Sequence, residues 1–122
     1  MTQAQTKLSF TITGFDKDPD RVAVPLVLAN NALAMGSDVL LWLTLEGVQL
    51  AKKGAYDHLI PRSFPPIRDL METFKESGGK IGVCPPCAKT HGVSNDNMAD
   101  NAQWMGAAAI LEENQQRQTA WF

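Results

Sequence analysis

The apolar positions of this chain change period several times, and each change marks an element. Lys7 to Phe15 (KLSFTITGF) is rich in β-branched and aromatic residues and stops at Gly14-Phe15-Asp16, which predicts a first strand. Asp18-Pro19 has the chemistry of a helix start: a carboxylate able to cap free amides, then a ring suited to the first helical position. From Asp20 to Met35 the apolar residues recur at helical spacing, with Val22, Leu26, Ala29 and Leu33 on one face and Ala23 and Val27 beside them. Pro25 predicts a kink or a later true start, and Gly36 a stop. Ser37 to Leu45 (SDVLLWLTL) is continuously apolar rather than alternating, as expected of a strand buried on both faces of a parallel sheet.

Glu46-Gly47 ends that strand. Val48 to Lys53 predicts a short helix closed by Gly54, and Ala55 to Ser63 a loop. Pro65-Pro66 opens a helix whose Ile67, Leu70, Met71 and Phe74 form one stripe, and Gly78-Gly79 ends it. Lys80 to Cys84 predicts a third strand. Pro85 and Pro86 suit the first turn of a short helix that closes at Gly92, and Asn95 to Asn97 reads as loop. Ala102 to Met105 predicts a short fourth strand, Gly106 to Gln116 a helix, and Thr119 to Phe122 a terminal strand. Strands alternating with helices define an α/β fold: three layers, about five strands in a mostly parallel sheet, helices on both faces, and one domain over residues 1–122.

Composition narrows the function classes. A net charge of −2, with both signs scattered, supplies no basic footprint for nucleic acid. The first residues, Met1 to Thr6, are polar and lack the charged and apolar regions of a signal peptide. No apolar run approaches the ~20 residues needed to span a bilayer. The expected location is the cytoplasm. In that reducing setting a Cys-x-x-Cys pair is catalytic, redox-active or metal-binding more often than a staple.

The two cysteines form one motif, Cys84-Pro85-Pro86-Cys87, at the carboxyl end of the third strand. Parallel α/β sheets place ligands and reactive groups outside that edge. A Cys84 sulfur there would face backbone amides and the positive end of a helix, which favours the thiolate. Lys89 and His91 are close enough in sequence to add positive charge. Cys87, one turn on, could attack a persulfide or mixed disulfide on Cys84. Other readings compete. Both thiols could be inert packing. Cys84, Cys87 and His91 have the spacing of three metal ligands, with a fourth from His58, an acidic residue or another subunit. A thioredoxin-like site is disfavoured, because no proline follows Cys87 to face the disulfide. Otherwise His58 reads as a solvated loop residue. Trp42, Met35, Met71, Met98 and Met105 read as core. Gly14-Phe15 and Glu46-Gly47 either line the cysteine edge or serve only as turns.

The ordered set of the first strand with its glycine end, the apolar helix Val22 to Met35 with Gly36, Glu46-Gly47-Val48, Lys53-Gly54, the segment Ile81 to Gly92, and Gly106-Ala107-Ala108 to Phe122 resembles the DsrE/DsrF-like sulfur-relay family with its YchN-like fold. The resemblance implies a compact domain that assembles into trimers or hexamers. It implies no cofactor. It also implies a persulfide on the cysteine after the third strand, Cys84 here, passed from a protein donor to a protein acceptor. Cys87 departs from a one-thiol relay. It points to sulfur release through a disulfide, to a dithiol redox or regulatory module, or to an oligomeric metal-binding branch.

Overall fold

The structure, a computed structural model, describes residues 5–122, so the polar stretch at the start of the chain lies largely outside the described residues. The elements follow as β1 (Lys7–Ile12), α1 (Pro19–Ala34), β2 (Asp38–Leu43), a 3-10 helix (Leu45–Ala51), α2 (Ile67–Glu76), β3 (Lys80–Val83), α3 (Pro85–Thr90), β4 (Ala102–Trp104), α4 (Ala107–Asn114) and β5 (Gln118–Trp121). The five strands form one sheet in the order β4-β3-β2-β1-β5, every pairing parallel.

Strand periodicity divides the core in two. Leu8, Phe10 and Ile12 of β1, Val39, Leu41 and Leu43 of β2, and Ile81 and Val83 of β3 point to one face, where α1 and α2 pack over them. Leu40 and Trp42 point to the other, where they meet Met105 and Ile110. This explains the unbroken apolar run of β2, since both of its faces are covered. Right-handed crossovers explain why the layers are unequal. The steps from β1 to β4 all run in one direction and bring α1, α2 and α3 to the same face. Only the reversed step from β4 to β5 places a helix, α4, on the other. Ser9 and Thr11 of β1 lie buried on that thinner side, and the Ser9 hydroxyl has no hydrogen-bond partner.

Most element readings stand, with four changes. Helix α1 runs through Pro25, which is buried within it, and Asp18 sits at its N-cap without a side-chain capping bond. The Asp18 carboxylate pairs with Arg21 at 3.6 Å instead. The short helix expected at Val48 to Lys53 is a tighter 3-10 helix that begins at Leu45. Met35 is not core: it is 84% exposed, whereas Met71 and Met105 are buried and Met98 partly so. In the last strand, Phe122 packs edge-on to Phe10 with ring centres 5.6 Å apart, while Trp121 stays 67% exposed against Trp42.

Trp42 carries the one indole hydrogen bond of the second core, donating from Nε1 to the Met105 carbonyl at 2.9 Å. Trp42→Phe keeps most of the apolar surface but leaves that carbonyl unpaired. The expected cost is about 1–3 kcal/mol, read as a shift of the urea midpoint without a change of slope.

Among the described residues, no helix is long and apolar enough to cross a membrane.

Candidate functional site

Strands β2 and β3 end side by side, with Leu43 opposite Val83. The next residue on each strand therefore emerges at the same edge: Thr44 from one, Cys84 from the other. The Cys84 amide extends the ladder by one bond, to the Leu43 carbonyl at 3.0 Å. Cys84 is itself extended and serves as the N-cap of α3. One turn later Cys87 faces back toward β2, and its Sγ lies 3.6 Å from the Thr44 hydroxyl oxygen. Both sulfurs are unpaired thiols in half-buried residues.

The backbone beside this pair is unusual. Leu45 has φ of +52°, the only positive φ at a non-glycine residue among those described. The left-handed region is sparsely populated for a branched side chain, and such residues persist only where surroundings impose them. Here the conformation lies where the chain turns from β2 into the 3-10 helix, directly after Thr44. Burial is the largest single influence on the Cys87 thiol and pushes its pKa up. Hydrogen bonds from the Thr44 hydroxyl, the Leu45 amide and the Cys84 thiol together outweigh it and hold the group below its ordinary value.

The electrostatic support expected for Cys84 is reduced by the motif's own prolines. Pro85 and Pro86 occupy the first two helical positions and have no N–H to offer. The Ala88 amide is committed to the Cys84 carbonyl at 3.0 Å. Of the amides in the first turn of α3, that leaves the one of Cys87.

The remaining expected residues disperse. Lys89 is exposed and lines a cleft with Pro85, Val93, Asn95 and Trp104, on the β4 side of the motif. His91 is half-buried at the C-cap of α3, where its amide reaches the Cys87 and Ala88 carbonyls. His58 lies edge-on to Phe15 with ring centres 6.2 Å apart. Among the described residues, no three His, Cys, Asp or Glu side chains converge as a metal site would require, so the three-ligand reading of Cys84, Cys87 and His91 finds no geometric support. Thr44 and Leu45 escaped the sequence reading. The available signal was Thr44 itself, the one hydroxyl in the apolar run from Val39 to Leu45.

The site is not at the reversal of strand order. That crevice, between β1 and β5, is filled by the chain: the Thr13 amide and hydroxyl donate to the Phe122 carbonyl at 3.0 and 2.9 Å.

Fold and site together define a small doubly wound α/β domain with a dithiol at a strand end. The family model for the DsrE/DsrF-like family matches residues 6–119, nearly the whole chain, and the protein belongs to that family. Among solved structures, YchN of E. coli superimposes with a TM-score of 0.79 at 16% identity, covering 98% of this chain and 100% of that one. MTH1491 of Methanobacterium thermoautotrophicum, a protein of unknown function, gives 0.73 at 12% identity, covering 97% and 100%. At those identities the likeness shows the YchN-like fold. In sequence, the chain is 28% identical over 92 residues to the uncharacterized protein MJ0760 of Methanocaldococcus jannaschii, 75% of this chain but 34% of that one. It is 31% identical over 84 residues to the uncharacterized protein MK0008 of Methanopyrus kandleri, 69% of this chain and 66% of that one. The chain thus spans about a third of the first relative's length and just under two thirds of the second's.

Proposed function

We propose that this protein is a sulfur carrier of the relay type, which holds sulfane sulfur as a persulfide on the Cys84–Cys87 pair and passes it to a partner protein. The observation that carries the reading is the placement of both thiols at one sheet edge, with the Thr44 hydroxyl 3.6 Å from Cys87 Sγ and the Cys87 thiol held below its ordinary pKa. A thiolate of the pair attacks the outer sulfur of a donor persulfide. The donor's S–S bond breaks, its thiol leaves, and a protein persulfide forms. An acceptor thiolate then takes the outer sulfur in the same way and regenerates the pair. The expected assignment puts the persulfide on Cys84, the position the family resemblance marks, and leaves Cys87 to resolve it. Lys89 is exposed beside the motif, where its charge attracts anionic partners, and His91 sits at the C-cap of the same short helix. The function places the chain in a reducing compartment, the cytoplasm. Assembly into a homo-oligomer gives the thin α4 face and exposed Trp121 a cover.

Incubating the reduced protein with a small-molecule persulfide tests the proposal. Mass spectrometry is expected to find one added sulfur on the wild type and none on the Cys84→Ser, Cys87→Ser double variant. An unmodified wild type whose cysteines still react with iodoacetamide rules the carrier role out.

The placement of the two free thiols at the N-cap and in the first turn of one short helix favours a second reading, a reversible dithiol–disulfide couple. It predicts a disulfide that forms and reduces without any sulfur adduct.

A further inference from the structure

We infer that Cys87, seated against the Thr44 hydroxyl, is the sulfur that accepts the incoming sulfane atom, and that Cys84 is the resolving thiol. This rests on the carrier reading and reverses the order in which sequence position alone arranges the two cysteines.

Three observations carry it. A hydroxyl faces one sulfur only: Thr44 Oγ1 lies 3.6 Å from Cys87 Sγ, and Cys84 Sγ has no such partner among the described residues. A negatively charged sulfur gains most from such donors, because hydrogen bonds to charged groups are the strong ones. Second, Leu45, the residue after Thr44, holds a left-handed conformation that its side chain disfavours, so the turn that presents Thr44 to Cys87 is one its surroundings impose. Third, Pro85 and Pro86 remove two of the first-turn amides of α3, and Cys84 at the N-cap makes no side-chain capping bond to the one that remains, that of Cys87. Cys84 is also the more constrained in packing. It touches both the large core cluster and the smaller one of Leu40, Trp42, Met105 and Ile110, whereas Cys87 packs on the large cluster alone.

The chemistry balances with the thiols present. Cys87 thiolate attacks the sulfane sulfur of the donor, the donor thiolate departs, and Cys87 becomes the persulfide. Thr44 then faces a sulfur whose charge has moved one atom outward. Either an acceptor thiolate takes the terminal sulfur, or the Cys84 thiol loses its proton and attacks Cys87 Sγ. In the second case hydrosulfide leaves and the Cys84–Cys87 disulfide remains until a low-molecular-weight thiol reduces it. Thr44 is a positioning residue in this scheme, since it acts through Cys87.

The test uses the whole chain and the tryptic peptide Ile81 to Lys89, which contains both cysteines between two lysine cleavage sites. Limiting iodoacetamide, with fragment-ion assignment, is expected to label Cys87 at least about tenfold faster than Cys84 at neutral pH. Thr44→Val should raise the pH midpoint of Cys87 labelling by about one unit, the measure of one hydrogen bond to a charged group, and Thr44→Ser should restore it. With a persulfide donor, Cys84→Ser is expected to retain the added sulfur and Cys87→Ser to lose it. Faster labelling of Cys84, an unmoved midpoint in Thr44→Val, or full loading of Cys87→Ser each overturns the inference. Absence of sulfur on every form, with the labelling order as expected, overturns the carrier reading and leaves the thiolate assignment intact.

Discussion

Replacing Arg117 by alanine is expected to lower the folding free energy by about 3–5 kcal/mol, the cost of breaking a buried ion pair from one side. The guanidinium is only 5% exposed and lies at the amino edge of the sheet, opposite the cysteines. Its Nη1 donates to the Leu8 carbonyl at 3.0 Å and to Asp38 Oδ1 at 2.9 Å. Its Nε donates to Glu113 Oε2 at 2.9 Å. One side chain thus ties β1, β2 and α4 together just before β5 begins. Its removal leaves the Asp38 carboxylate, 24% exposed, without its partner. The exposed Lys17–Glu46 pair at 3.6 Å is the contrast. Lys17→Ala should change stability by well under ~1 kcal/mol. Urea unfolding of both variants decides the matter, and a loss at Arg117 no larger than that at Lys17 contradicts the clamp.

Gly47→Ala is expected to cost about 2–3 kcal/mol and to weaken the cysteine site at the same time. An added Cβ would fall 2.3 Å from the Ile12 carbonyl oxygen and 2.9 Å from its carbon, both backbone atoms at the end of β1. Neither can swing aside as a side chain would. The Gly47 amide is also fixed, donating to the Thr13 and Thr44 carbonyls at 3.2 and 3.0 Å. Relief must come from moving the turn that carries Thr44 and Leu45. Stability should fall, and Cys87 labelling should slow and shift to higher pH. An alanine variant that keeps both its unfolding midpoint and its labelling profile shows that the close approach is relaxed at little cost.

How far the chain could be read in advance depended on what each feature draws upon. The stripe of Ile67, Leu70, Met71 and Phe74 is a local pattern, and those four residues are the buried ones of α2. The run from Val39 to Leu43 announced a strand covered on both faces, because only two apolar layers accommodate it. The cysteine edge followed from counting strands. The rest arises between segments distant in sequence. Thr44 meets Cys87 across 43 residues, and no local spacing signals that contact. Arg117 looks like any solvated cation at a helix end until β1 and β2 are in place. Met35 belongs by period to an apolar helix, yet it falls past the end of α1 and faces water. The helix expected over Val48 to Lys53 begins instead at Leu45 and winds as a 3-10 helix, with the Gly47 amide within it donating to the Thr13 carbonyl just past β1.

The pairing of the first strand with the last has a consequence for how the chain comes together. Arg117 and Leu8 stand 109 residues apart in the chain, so docking β5 onto β1 closes a far longer loop than joining β1 to β2 or β2 to β3. Closure entropy and contact order both set that step late. The cysteine edge belongs to β2 and β3, which can pair as soon as α2 has formed. The cysteine edge is therefore expected to form before the last strand docks, so that β5 closes onto a site already assembled.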